Sequence, residues 1–306
     1  MKIKQGLVEM KSVLLKAFAA ALMLGAVGSV AQAEVKEMWS LTGFSHPESV
    51  DFDLAHGVFY VSNIGGAPLD KDGNGFIAKV SRDGKMITQK WIEGLNAPKG
   101  IVMQGTKMWV SDIDQLVEID TATGKVTQKY DAKGAVFLND TAVDTEGNVY
   151  VSDIAKSTIW KMSNGKMEIW YNTPDNLHIN GLRVIRGDKL LVAGWGRGMH
   201  DDGSTDSLGN LFTVNLKTKE MKNLGDGRAV GNIDGLERDY HGGYLVTDWV
   251  KGGLIDVKKD GSFKVLMSLK PGSADLDVMD NGHEAIVPHM LEDAVSAYHI
   301  DNADLK

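Results

Sequence analysis

Four residues far apart in the chain, Glu48, Asn139, Asn180 and Asp234, are chemically suited to one another. Together they offer two carboxylates and two amide carbonyls. These are hard oxygen donors of the kind calcium prefers, since it takes about 6–8 oxygens and leaves room among them for water or substrate. No histidine joins the group and the chain has no cysteine, so the set suits zinc or copper poorly. Taken singly, each residue has a plainer reading. Asn and Asp are ordinary turn and strand-start residues, and Asn-Gly or Asp-Gly is a common turn signal. The four stand out because they fall at the same point of an internal repeat, and some architecture must then draw those points together.

The repeat is carried by six segments: VFYVSN (58–63), KMWVSD (107–112), NVYVSD (148–153), KLLVAG (189–194), GYLVTD (243–248) and EAIVPH (284–289). Their valines, Val61, Val110, Val151, Val192, Val246 and Val287, are spaced 49, 41, 41, 54 and 41 residues apart. A shorter apolar segment and a turn precede each one, and a third strand-like segment follows, such as QLVEID (115–120) or TIWKMS (158–163). A fourth, such as KVTQKYD (125–131), follows in the first five repeats but not in the sixth. Its counterpart lies near the other end of the chain, in VKEMWSL (35–41). The pattern predicts an all-β fold, a six-bladed β-propeller with four antiparallel strands per blade, the last blade completed by the N-terminal strand. A β-sandwich also has regular short strands, but it explains neither the six-fold repeat nor the strand matched at the opposite end. In a propeller the starts of the innermost strands gather round the axis on one face. Those starts carry Glu48, Lys99, Asn139-Asp140, Asn180, Asp234 and Asp275.

Residues 1–33 read as a secretory leader. Lys11 and Lys16 precede an uncharged run, 17–31, which ends in Ala31-Gln32-Ala33. The uncharged run is short of the ~20 residues that span a bilayer, so cleavage is expected rather than a membrane anchor. Residues 34–306 then form a single propeller domain, periplasmic or secreted. The formal net charge is −8, and the leader's four lysines and one glutamate take a net +3 away with them. So acidic a chain has no electrostatic case for nucleic acid or anionic lipid, and nothing in it implies a protein partner. The partner expected is a small-molecule substrate.

The segments HPESVDF, FLND followed by VDTEGNVYVSD, INGL and IDGL resemble the senescence marker protein/gluconolactonase family of six-bladed propellers, whose wider relatives include the paraoxonases, diisopropyl fluorophosphatase and strictosidine synthase. The resemblance spans residues 34–306. It implies one divalent cation, most often calcium, in the central channel, and hydrolysis of sugar lactones or related esters. Carried over by position, Glu48, Asn180 and Asp234 match metal ligands, Asn139 an asparagine lining the metal, and Asp140 the acidic residue after it. On this reading the cation polarises the carbonyl, and Asp140 or Asp234 activates water or attacks directly. Phe137 departs from the family pattern, which has an arginine there for the sugar. That points to a less polar substrate. No counterpart of the paraoxonase histidine dyad is found. The alternative is a non-catalytic propeller that binds a ligand or protein partner around a structural metal.

Further candidates lie outside this set. Lys99 is a candidate substrate contact. Asp70-Lys71-Asp72-Gly73-Asn74-Gly75 matches the front half of an EF-hand loop, but position 12 falls on Ser81, so a tight loop is the plainer reading. The stretch 195–209, WGRGMHDDGSTDSLG, is expected to overhang the metal face as a loop, with Arg197, His200, Asp201 and Asp202 as candidate substrate contacts. His289 stands where four other repeats carry Asn or Asp, and is read as a base on that face or as a partner of a carboxylate. Asp112, Asp153 and Asp248 recur at one blade position, which argues for a structural hydrogen bond. There is no Gly-rich phosphate loop opening a helix and no Gly-x-Ser-x-Gly elbow.

Overall fold

A computed structural model describes residues 35–279 and 282–301; the leader expected over 1–33 lies outside the described residues. The chain forms six small antiparallel sheets, five of them built from consecutive strands. Blade one, for example, runs inner strand Pro47–Asp53, second strand Val58–Asn63, third strand Gly75–Ser81 and outer strand Met86–Leu95. Blade six takes Asp277–Met279, Glu284–His289 and Ala294–His299 from the C-terminal end, and its outer strand, Lys36–Thr42, from the N-terminal end. The six-bladed propeller with its last blade closed by the N-terminal strand is therefore the observed architecture.

Burial explains why the six repeat segments look as they do. The second strand lies mid-blade, and both of its faces pack against neighbouring blades. VFYVSN and EAIVPH are accordingly buried at every position, and read as runs rather than alternations. Outer strands such as Lys125–Asp131 are mostly exposed and carry Lys, Gln and Thr, polar residues that blunt an edge. The apolar core is divided into one cluster at each seam between blades. One joins blade six to blade one through Ile286, Val295, Val50, Val61 and Trp39, which closes the ring without a covalent bond.

Five of the six inner strands carry the same irregularity. In blade one Pro47 pairs with Asn63 and Val50 with Val61, so Glu48 and Ser49 together oppose the single residue Ser62. The pairing repeats with Lys99-Gly100 opposite Ser111, Asn139-Asp140 opposite Ser152, Asn180-Gly181 opposite Ala193, and Asp234-Gly235 opposite Thr247. Two residues against one is a β-bulge, a device that re-aims a side chain at the cost of one unpaired N–H. In three blades the hydroxyl facing the bulge takes up that N–H: Ser62 accepts from Ser49 at 2.9 Å, Ser152 from Asp140 at 3.0 Å, and Thr247 from Gly235 at 2.8 Å, while Ser111 of blade two donates to the Asn139 carbonyl of the next blade. The bulge thus explains the Ser or Thr in the second-strand motif of blades one, three and five.

The second residue of each bulge meets the next blade. A Cβ on Gly181 would lie 2.6 Å from the carbonyl oxygen of Asp234, and one on Gly235 would lie 2.5 Å from the Leu276 nitrogen. Only glycine allows that approach, which accounts for INGL and IDGL.

Candidate functional site

The first residue of each bulge faces the axis. Glu48, Lys99, Asn139, Asn180 and Asp234 all line one cavity of about 100 Å³, together with Phe137. All four expected oxygen donors are thus brought together, with Lys99, Phe137 and Asp202 of the expected substrate contacts. Each donor is deeply buried, at 2% exposed for Glu48, 6% for Asn139, 1% for Asn180 and 3% for Asp234.

The aspartates that end second strands hold this ring in place. The Asp112 carboxylate accepts the backbone N–H of Asn96 and of Ala97, just before the second inner strand. Asp153 does the same for Val136 and Phe137 before the third. In blade one Asn63 accepts from Ser45. The recurrent acid at this position braces the loop that delivers the bulge, as its repetition suggested. Asp248 accepts likewise from Asn232, just before the fifth inner strand, and, as Asp153 does from Lys156, from Lys251 in the following turn.

Four buried oxygens in the cavity have no hydrogen-bond partner: Oε2 of Glu48 and Oδ1 of Asn139, Asn180 and Asp234. Buried polar atoms are nearly always satisfied, so four orphans on adjoining side chains call for a partner that accepts oxygen lone pairs. A hard cation is such a partner, and the donor set fits calcium. Among the described residues no three of His, Cys, Asp and Glu stand together as a metal-holding group. A cation here would therefore depend on the two amide oxygens as much as on the two carboxylates. Burial pushes the Glu48 carboxyl well above its ordinary value, and Asp234 adds to that; burial and then Asp140 do the same to Asp234. Positive charge in the cavity would reverse both shifts.

The walls above these residues are apolar. Phe137, Trp195, Met199, Trp249, Met290 and Leu291 line the cavity. Sequence reasoning missed most of these: Trp195 and Met199 lie on the blade-four second strand beyond its repeat segment, and Trp249, Met290 and Leu291 directly follow a second strand, where the repeat no longer sets direction. It also missed His46, which lines the cavity one residue before the first inner strand and holds a left-handed backbone, φ 51°. The only advance signal for His46 was its place in HPESVDF.

The stretch 195–209 is not a plain loop. The second strand of blade four continues as Lys189–Met199 and pairs with an added strand, Thr205–Leu208, to form a hairpin arm. Trp195 Nε1 donates to the Gly203 carbonyl at 2.8 Å, which latches the arm's tip beside the mouth. Asp202 and Gly203 reach the cavity, whereas Arg197, His200 and Asp201 are not among its lining residues. His200 faces Asp206 at 3.0 Å on the exposed side of the arm.

Two further expected positions lie elsewhere. Asp140 is the second residue of its bulge, so it points away from the cavity into a separate space of about 20 Å³ lined by Arg183, Glu237 and Asp277. Its Oδ1 accepts from Thr141 N–H and its Oδ2 from Leu182 N–H. Burial raises its carboxyl to about 7 against those hydrogen bonds. His289 faces a different groove, with its Nε2 2.9 Å from the Tyr298 hydroxyl, and burial lowers its basicity. In the 70–75 loop, both Asp72 oxygens are taken by Asn74, and Lys71 pairs with Asp114.

No protein-family profile matches the chain, and no curated protein does. Among solved structures it is similar to a streptogramin B lyase, with a TM-score of 0.61 and 10% identity over 90% of this chain and 100% of that one. A virginiamycin B lyase from Staphylococcus aureus gives a TM-score of 0.60 at 10% identity, covering 88% of this chain and 100% of that one. A catalytically inactive form of the Staphylococcus aureus enzyme, with quinupristin, gives 0.56 at 11% identity, with 88% of this chain and 100% of that chain covered. At such identities the likeness establishes the shared propeller fold.

Proposed function

We propose that this chain is an exported, calcium-assisted hydrolase of apolar lactones or related esters. The observation that carries the reading is the set of four unpartnered, buried oxygens at the floor of an apolar cavity. Glu48, Asn139, Asn180 and Asp234 would hold the cation. When bound, a divalent cation supplies positive charge beside the ester carbonyl, polarising it and stabilising the charge that develops on its oxygen. The chain's own residues do the rest. Trp195, Trp249 and Phe137 pack the acyl or ring portion and keep bulk water from the reacting carbonyl. Asp234 accepts the proton of the attacking water, a role that its seat in the cavity allows and that the tethered Asp140 carboxylate does not share. With Phe137 where the resemblance has an arginine, the mouth favours an apolar ring over a sugar.

The test is hydrolysis of a panel of medium-chain lactones, sugar lactones and aryl esters by chelated and calcium-loaded protein. Turnover of the apolar members that disappears on chelation and returns with calcium is expected. Isotopic oxygen from solvent should appear in the acid product, which separates hydrolysis from the elimination that a lyase would perform. If the loaded protein turns over no ester yet binds calcium tightly, the cavity belongs to a binding protein instead.

A further inference from the structure

Five inner-strand bulges present their first residue to the cavity. Four of these residues carry oxygen donors, and the fifth is Lys99. Lys99 is 1% exposed, among the most deeply buried large side chains of the protein. An ammonium so placed costs several kcal/mol unless well paired. Among the described residues no carboxylate lies within ion-pair distance of it; its Nζ donates instead to the carbonyls of Ala97 at 2.7 Å and Pro68 at 3.0 Å. The ring of Phe137 lies 4.9 Å from Nζ, a cation–π contact on the cavity side. An ammonium has three donors, so two are committed and one remains. The fold thus holds a buried, oriented cation where an oxygen donor would have satisfied the repeat.

Position in the ring gives this cation a use. In a ring of six, blades two and five face each other across the axis, so Lys99 and Asp234 occupy equivalent bulge positions on opposite walls. A substrate on the axis lies between them. The hydrolysis proposed above assigns a base but leaves the departing alkoxide without a proton.

We propose, resting on that reading, that Lys99 is the proton donor to the leaving oxygen. Water adds its oxygen to the carbonyl carbon and loses a proton to Asp234. The bond from that carbon to the alkoxide oxygen breaks, and the Lys99 ammonium proton passes to that oxygen, leaving acid, alcohol and a neutral amine. The amine is recharged with the proton held on Asp234, through water. Burial lowers the amine to about 8, against the opposing influence of Glu48 and Asp112, which suits proton donation near neutrality.

The experiment compares two esters with one acyl group on calcium-loaded protein, one with an alkyl and one with a p-nitrophenolate leaving group. The nitrophenolate departs without a proton. In Lys99→Met, kcat for the alkyl ester should fall by about 10²–10⁴-fold while the aryl ester loses less than about tenfold. Lys99→Arg keeps the charge but holds its proton too tightly, and should not restore the alkyl reaction. Equal loss on both esters, rescue by arginine, or retained alkyl turnover would each overturn the proposal. Melting temperature checks the fold of Lys99→Met, and Lys99→Gln serves in its place should the Met variant not fold. Wild-type protein inert on both esters refutes the hydrolase reading itself, and the proton-donor role with it.

Discussion

The Asp140 carboxylate accepts the backbone N–H of Leu182, in the next blade, and that of Thr141 in its own. Ser49 occupies the equivalent bulge position in blade one, where its hydroxyl accepts the N–H of Ile101 in blade two at 3.2 Å. The two contacts are one device, a side-chain oxygen that ties adjacent inner strands together at the axis. Asp140→Ala strands two buried donors, which costs about 2–4 kcal/mol. For a domain of this size, that lowers the melting temperature by about 4–16 °C. Calorimetry checks this, and an unchanged melting point would remove the structural role.

Gly181→Ala tests the ring from the other side. The added Cβ meets the Asp234 carbonyl at 2.6 Å and the Leu236 Cβ at 2.8 Å, both on a packed strand that cannot yield. Overpacking of this kind costs about 1–3 kcal/mol. Because the displaced backbone carries Asp234, calcium affinity should fall together with stability. Isothermal titration measures the affinity and thermal melting the stability.

Calcium should stabilise the chelated protein. At about 100 times Kd, a ligand bound only by the folded state adds about 2.7 kcal/mol. The melting point of wild-type protein should therefore rise by several degrees. In Asp234→Ala the rise should vanish, since that change removes one of the orphan oxygens and one of the two negative charges. A full calcium-induced rise in this variant would place the cation elsewhere.

Stability should also depend on pH through the small separate space that Asp140 faces. There Glu237 pairs with Arg183 but is raised to about 7, by burial first, with Asp277 adding to the rise and Arg183 opposing it. Burial likewise raises Asp51 and Asp277 nearby. A carboxyl whose folded value exceeds its unfolded one stabilises the fold at low pH, and that contribution is lost as pH rises through the folded value. Melting temperatures should fall between about pH 4.5 and 7 on this account, and Glu237→Gln should flatten the slope. A melting point that rises steadily over that range would contradict the assignment.

The sequence by itself determined the architecture and the membership of the ring. The spacing of Val61, Val110, Val151, Val192, Val246 and Val287 counts the blades because each second strand is buried on both faces and tolerates little else. Glu48, Asn139, Asn180 and Asp234 were legible for the same reason, as one position of a repeat. What the tertiary structure decided was direction. Adjacent residues of a bulge point to opposite sides, so Asn139 lines the cavity while Asp140 clasps the neighbouring blade, a split that the dipeptide Asn-Asp does not reveal. The same holds for the walls. Trp249, Met290 and His46 lie outside the strands with no period to read, Trp195 lies beyond the repeat segment of blade four, and the 195–209 stretch became a hairpin because its backbone N–H and C=O groups could extend the blade four ladder. Periodicity is a local property and survives in the sequence, whereas convergence on an axis depends on contacts between blades remote in the chain.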